Sequence, residues 1–174
     1  MIIKEVGDRV FIFQFDDEHE NDRVLMRQTW SFNKSLIVLK EFDGYSSPKI
    51  VNLEWCSFWI QIYRLPLSLI NEKIGVVLGE LLREVLEVNS NDDQIVWEKW
   101  IRVRANINLY KPLKMGKLIS VEGERKILAL FKYKRLPDFC YVCRKVDHNE
   151  LDCIVIASIQ KDQLKIHREF GPWM

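Results

Sequence analysis

The chain has 174 residues, of which 48% are hydrophobic, enough to build one domain with a buried core and a small appendage. Its 26 basic and 25 acidic residues give a net charge of +1, so the overall charge does not favour a polyanionic partner. The sequence shows no secretory signal and no apolar run of transmembrane length, so we expect an intracellular protein, nuclear or cytoplasmic, that is not secreted and binds no membrane.

The part of the chain before residue 136 is predicted to mix strands and helices. Strands rich in β-branched and aromatic residues are predicted over 9–15, 35–40, 58–63, 85–88, 100–109 and 127–133. A first helix is predicted to begin after Asp16 or Asp17, with Glu20 able to complete a capping box, and to run to about Gln28. The segments 44–48, 89–93, 115–116 and 122–123 are predicted turns or loops.

A second helix is predicted to begin near Pro66 and Ser68. Apolar residues recur there at helical spacing and are predicted to face a core: Leu67, Ile70, Ile74, Val77, Leu78, Leu81 and Leu82. The predicted fold class is therefore α+β, with a small mixed or antiparallel sheet and two helices.

The strand predicted over 100–109 alternates between two kinds of side chain. Its apolar set, which belongs in a core, is Ile101, Val103, Ala105, Ile107 and Leu109. Its other set, which can stack on bases and pair with phosphates, is Trp100, Arg102, Arg104, Asn106 and Asn108. An ordinary solvated sheet face explains the second set equally well.

The strongest motif is C-x2-C-x4-H-x4-C, formed by Cys140, Cys143, His148 and Cys153. Two thiolates at this spacing can hold a metal from a tight turn, and the later His and Cys can close a tetrahedral site around one structural Zn²⁺. Reduced cysteines that serve only for packing are the alternative. Cys56 stands apart among apolar neighbours and is predicted to fill the core.

Charge is concentrated beside this motif. Residues 125 to 145 carry seven basic residues and one acidic residue, whereas residues 1 to 25 carry three basic and seven acidic residues. A phosphate backbone needs such a local basic excess, although a solvated face is the commoner reason for a charge run. We predict phosphate contacts for Lys132, Lys134, Arg135, Arg144 and Lys145.

Seven segments carry a resemblance to a known family through their order along the chain: 30–32, 36–39, 58–67, 74–75, 78–79, 133–141 and 170–173. With the CCHC motif, they resemble a plant domain of unknown function found in LINE-type, gag-like retrotransposon proteins, in which a CCHC zinc knuckle follows the domain. The resemblance implies a ferredoxin-like domain over 1–135 that is truncated at its N-terminus, a zinc knuckle over 136–153, hereafter the CCHC segment, and a tail over 154–174.

The resemblance also implies a non-enzymatic protein that binds zinc and single-stranded RNA or DNA, with no small-molecule substrate. Tyr141 takes the place where knuckles present an aromatic platform to an unpaired base. Three positions depart from the usual pattern: Arg144 and Asp147 stand where knuckles have glycine, and Glu150 stands where they have a second apolar platform. We expect Arg144 to strain the turn more than Asp147, since Asp tolerates such a conformation better, and we expect Glu150 to weaken binding.

Two other functions remain open on the residues alone. A degenerate transposon remnant, or a protein-interaction module without significant nucleic-acid binding, fits the near-neutral charge and the missing glycines. An enzyme using Cys140 or Cys143 with His148 as its base lacks an evident orienting acid and oxyanion hole, so it is ranked last.

Overall fold

The computed structural model describes residues 1–161 except positions 8, 28, 90–99, 122–124, 138 and 147. Within these residues the elements are β1 (Ile2–Gly7), β2 (Val10–Gln14), α1 (Glu18–Met26), β3 (Trp30–Phe32), β4 (Ser35–Ile37), β5 (Trp55–Tyr63), α2 (Glu72–Glu80), β6 (Glu84–Asn89), β7 (Trp100–Asn108), β8 (Gly116–Val121), β9 (Arg125–Tyr133) and α3 (Ile154–Lys161). The predicted α+β class is confirmed.

The largest sheet has five antiparallel strands in the order β6-β7-β5-β9-β8, while β1-β2 and β3-β4 form two separate hairpins. Its centre is the pairing of β5 with β7, in which Ile60 lies opposite Val103 and Ile62 opposite Ile101. These four side chains are fully buried, because every second residue of a strand points to the same face. The apolar face predicted for residues 101–109 is therefore confirmed and forms the core, with Leu109, just after β7, partly buried against it.

Helix α2 covers this apolar face and lies unusually close to it. A Cβ atom added to Gly75 would lie 2.5 Å from Val88 Cγ1, and one added to Gly79 would lie 2.6 Å from Val85 Cγ2. Only residues without a side chain allow this approach. The two glycines therefore let the helix backbone pack directly against β6 and β7. The contact buries Leu78, which is 3% exposed.

The predicted start of α2 was wrong. Asn71 caps the helix by accepting a hydrogen bond from the Ile74 N–H at 3.0 Å, so the α-helix begins at Glu72, after a separate 3-10 turn over Leu67–Leu69. As a result Leu67 is 68% exposed, and Val77, on the outer side of the helix, is 56% exposed. The other predicted members of the stripe are buried or pack against the core: Ile70, Ile74, Leu78, Leu81 and Leu82.

Other differences concern short or edge elements. The strands β1, β3 and β8 and the helix α3 were not predicted, so the described residues contain three helices and not two. Gly116 begins β8 and is not a turn residue, because its missing side chain lets the strand approach Ala129 O, which a Cβ would meet at 2.6 Å. Asn89, the first residue of the turn predicted over 89–93, is instead the last residue of β6. The remainder of that turn, 90–93, and the turn predicted at 122–123 lie outside the described residues.

The outer face of the five-stranded sheet carries polar and aromatic residues and is partly covered by the end of α1. Asp17 caps this helix as predicted, accepting from the His19 N–H at 3.0 Å. At its other end Arg104 Nη2 donates to Met26 O at 2.9 Å, and the buried Thr29 Oγ1 donates to Ser57 O at 3.2 Å. These two hydrogen bonds hold the segment after α1 against the outer face.

Candidate metal centre and nucleic-acid interface

The four predicted ligands come together in the structure. One potential ligand atom from each of Cys140, Cys143, His148 and Cys153 lies within 4.8 Å of all the others. Among these atoms, Cys143 Sγ and His148 Nε2 lie 3.1 Å apart. A tetrahedral site with Zn–S bonds of about 2.3 Å places its donor atoms about 3.8 Å apart, so the cluster has the size of a single zinc site.

A tight turn brings the first two cysteines together. The Arg144 N–H donates to Cys140 O at 2.7 Å, the Cys140 N–H donates to Lys145 O at 3.0 Å, and the Cys143 N–H points to Cys140 Sγ at 3.4 Å. Arg144 has φ +63°, in the left-handed region that favours glycine. The strain expected at this departure from the knuckle pattern is therefore present at Arg144, whereas Asp147 lies outside the described residues.

The last cysteine sits at the start of α3. Burial disfavours its thiolate, but hydrogen bonds from the Ile156 N–H and from His148, Cys140 and the Val155 N–H lower the pKa of Cys153 to about 7. The pKa of Cys143 is instead raised to about 11, and burial is the largest cause. A bound Zn²⁺ holds its cysteine ligands as thiolates, and the cluster can supply three such sulfurs and one imidazole nitrogen.

The CCHC segment is packed against the sheet domain. Phe139 and Val146, 7% and 9% exposed, belong to the same buried cluster as the strands β5, β7 and β9. The Leu113 N–H, from the segment between β7 and β8, donates to Arg144 O at 2.8 Å. The other side of the segment forms a small cluster of its own, in which Cys140 and Cys153 pack with Ile156.

Residues 107–155 match the model of the zinc-knuckle family. The matched part is less than a third of the chain, and it contains all four clustered ligands. The donor set of three sulfurs and one nitrogen, with no position left for substrate, is typical of a structural site. The predicted cofactor, one structural Zn²⁺, is thus supported by both geometry and sequence similarity.

The chain is also similar to an uncharacterized protein of Arabidopsis thaliana. The two sequences are 23% identical over 131 residues, which cover 75% of this chain and 41% of the relative. This chain therefore spans about two fifths of the length of the curated relative it matches. No solved structure matches the chain.

Tyr141, the predicted base platform, is half-buried beside the first ligand. Its ring centroid lies 4.6 Å from that of Phe139 at an interplanar angle of 51°, and its side chain packs against the core. Phe139 therefore supports one side of the Tyr141 ring and fixes its orientation. This arrangement leaves the partly exposed remainder of the ring for a ligand.

The five predicted phosphate-binding residues fall into three places. Arg144 and Lys145 lie on the first turn of the knuckle and are partly exposed. Lys132 lies on β9, paired with Gln61 on the outer face of the sheet. Lys134 and Arg135 follow β9 and line a cleft on that outer face, so the structure does not bring all five together around the zinc site.

This cleft, which we call the basic cleft, encloses about 260 Å³. Its lining residues are Met26, Arg27, Thr29, Trp59, Arg102, Lys134 and Arg135. Of the lining residues, Arg27 and Trp59 were not predicted as site residues, because they lie far apart in the sequence. Arg102 belongs to the polar set of 100–109 that can pair with phosphates. Only the alternation in 100–109 pointed to this face, and a solvated sheet face explained that alternation equally well.

One further prediction is confirmed by a residue outside the site. Cys56 is 3% exposed within the core, and burial raises the pKa of its thiol to about 11. Among the described residues, no helix combines the length and the apolar composition needed to cross a bilayer.

Proposed function

We propose that the protein binds single-stranded nucleic acid through its zinc knuckle and is not an enzyme. The observation that carries the proposal is the single Cys3His cluster, with all its ligand atoms within 4.8 Å, inside a segment that matches the zinc-knuckle family. Bound zinc holds the knuckle backbone in one conformation, and that backbone presents Tyr141, Arg144 and Lys145. RNA and DNA both offer the unpaired bases and phosphates that these residues can contact.

The non-enzymatic part of the proposal follows from the same cluster. His148 Nε2 lies 3.1 Å from Cys143 Sγ, a distance that would also suit a nucleophile and its base. Both atoms belong to the four-membered donor set, however, and a tetrahedral zinc with four protein ligands has no open position for a substrate.

We also propose that the chain derives from a retrotransposon and that its sheet is a variant of the ferredoxin-like fold. The similarity between the sequence landmarks and the gag-like plant domain supports the origin. The strand order supports the fold: β5, α2 and β6 form a split βαβ unit with β7 inserted between its strands, and β9 pairs with the other edge of β5.

A protein-interaction module without significant nucleic-acid affinity is the second candidate. Glu150, partly exposed in the position of the second base platform, favours it because a carboxylate repels phosphate and does not stack. The near-neutral net charge of +1 points in the same direction.

Titration of the zinc-loaded protein with a single-stranded oligonucleotide at several salt concentrations tests the proposal. Tyr141→Ala should lower the affinity about 5-fold to 150-fold, which corresponds to the loss of one stacked base. Tyr141→Phe should bind like the parent protein, whereas Tyr141→Leu, which keeps apolar contact with Phe139, should still lose the stacking.

Zinc content must be measured for each variant, so that loss of the metal is not mistaken for loss of a base contact. Affinity that does not change with salt, or that is equal in the Tyr141→Ala and parent proteins at equal zinc content, would favour the interaction-module function.

A further inference from the structure

The basic cleft is a concentration of positive charge at a distance from the zinc ligands. Four cationic side chains line it, Arg27, Arg102, Lys134 and Arg135, and no acidic side chain does. In the part of the chain that the structure describes, none of the four forms an ion pair with a carboxylate. Four neighbouring cations repel one another, and an anion between them would relieve that repulsion.

One of these cations is already held in a fixed orientation. The Arg102 guanidinium carbon lies 4.1 Å from the ring centroid of Trp59, so the guanidinium stacks on the indole. Stacking uses the face of the guanidinium and leaves the N–H groups at its edge, which suit the oxygens of a phosphate. Trp59 thus reduces the conformational entropy that Arg102 would lose on binding.

Both walls of the cleft are fastened to the sheet. On one side, the hydrogen bonds from Arg104 to Met26 O and from Thr29 to Ser57 O hold the segment that carries Arg27. On the other side, the Lys134 N–H donates to Trp59 O at 2.7 Å. The cations are therefore attached to a rigid sheet and not to a free loop.

The C-terminal end of α1 would repel an anion, because the last carbonyls of a helix carry partial negative charge. The structure neutralises this carbonyl end, since Arg104 Nη2 is bonded to Met26 O at 2.9 Å. Arg104 also lies opposite Trp59 in the strand pairing, which adds positive charge next to the cleft. Its Nε is buried without a hydrogen-bond partner among the described residues.

The size of the cleft favours part of a polymer over a whole small molecule. A volume of about 260 Å³ is below the range of pockets that enclose a whole drug-sized molecule, but it can take part of a polymer that continues beyond the opening. Arg135 precedes the zinc ligand Cys140 by five residues, so their Cα atoms are at most about 18 Å apart. One strand can therefore span both places.

We propose that the basic cleft binds backbone phosphate of the same single-stranded nucleic acid whose base is held by the knuckle. This inference rests on the proposed function and extends it, because it assigns a second contact surface on the sheet domain. Arg27, Arg102, Lys134 and Arg135 bind phosphate, and Trp59 positions Arg102.

The test compares two double variants of the full chain with equal loss of charge. Arg27→Gln with Arg102→Gln removes one arginine after α1 and one stacked on tryptophan, both in the cleft. Arg23→Gln with Arg83→Gln removes one arginine on α1 and one that lies 4.6 Å over Trp55, both outside the cleft. Each protein is titrated with a single-stranded oligonucleotide over a range of salt concentrations, and thermal unfolding confirms that each is folded.

The cleft variant should bind at least ten-fold more weakly at low salt. The slope of log affinity against log salt concentration should also be smaller in magnitude by about one to two, because each phosphate contact contributes about 0.7 to that slope for single strands. The control variant should bind like the parent. Equal weakening in both variants, or in neither, would overturn the cleft proposal.

The same titrations in a Tyr141→Ala background separate this proposal from the knuckle proposal. If the cleft binds phosphate independently, its variant reduces the salt slope there as well, whatever Tyr141 contributes. If Tyr141→Ala has no effect in the parent while the cleft variant does, the base contact at the knuckle fails, whereas phosphate binding by the cleft stands. Titration with sodium polyglutamate is the final control. If the protein binds polyglutamate as tightly as the oligonucleotide, the cleft is a site for acidic peptides and the nucleic-acid assignment is overturned.

Discussion

The sheet domain and the zinc knuckle reach a defined structure by different means. The sheet buries large apolar side chains on one face, such as Phe58 and Phe131, which are fully buried. The knuckle has an internal cluster of only three buried residues, two of which are zinc ligands. It compensates with metal on one side and with Phe139 and Val146 on the other, where they enter the core of the sheet. A short metal-binding segment can thus be partly stabilised by its neighbour.

Removal of zinc should have the largest effect, and it should be confined to one region. Structural zinc stabilises small peptides by about 10 to 16 kcal/mol apparent, far more than three buried side chains supply. We expect a chelator to abolish amide protection over 136–153 while protection in β5, β7 and β9 persists, as hydrogen exchange would show. Cys140→Ser should reproduce the result without chelator. Simultaneous loss of protection in the sheet would show that the two regions fold as one unit.

Truncation of Phe139 tests the apolar attachment. Phe139→Ala should destabilise the packing of the knuckle on the sheet by about 3 to 5 kcal/mol, because it empties a site that is 93% buried. Since zinc binding is linked to the docked conformation, the variant should also bind zinc more weakly. Competition with a chromogenic chelator and denaturant unfolding would measure the two effects.

Leu151, which is 94% exposed, provides a control within the same segment. Leu151→Ala should change neither zinc affinity nor unfolding. A normal zinc affinity in Phe139→Ala would show that the metal alone determines the conformation of the knuckle.

The smallest effect is expected from relief of backbone strain. Arg144→Gly should tighten zinc binding by about 1 kcal/mol, since the left-handed conformation costs about 1 to 2 kcal/mol in a residue with a side chain and glycine loses some of that gain in chain entropy. The hydrogen bonds of the residue to Cys140 and Leu113 involve only its backbone and would be kept.

Lys145→Gly is the matched control, because it removes the same charge one position later, where φ is not positive. It should leave zinc affinity unchanged or weaken it. An equal gain in both variants would mean that charge, and not backbone conformation, governs the affinity.

The sequence allowed the metal centre to be predicted more completely than the fold around it. The four ligands lie within fourteen residues, so their spacing already restricts their geometry, and the alternation in 100–109 likewise identified the buried face. Gly116 was misassigned as a turn because a glycine needed for close strand pairing carries the same local signal as one needed for a bend. The helix start after Pro66 was wrong because Asn71 offered a better cap.

The basic cleft could not be predicted because its parts come from four separate segments. Arg102 and Trp59 are 43 positions apart and meet only because β5 and β7 pair in one register. A shift of one residue would turn Trp59 into the core and remove the cation–π contact. Such sites depend on strand pairing, which periodicity within a single segment does not specify.

The hydrogen bond between Leu113 and Arg144, together with the burial of Phe139 and Val146, bears on how such a module is exchanged between proteins. The matched region begins at residue 107, well before the first ligand, and so includes β8, β9 and the segment that receives the knuckle. A graft limited to 140–153 would keep the four ligands. It would lack the Leu113 N–H that donates to Arg144 O and the Phe139 ring that enters the core. A graft that keeps the packing of the knuckle must therefore carry the β8-β9 hairpin and the segment around Leu113 together with the metal loop.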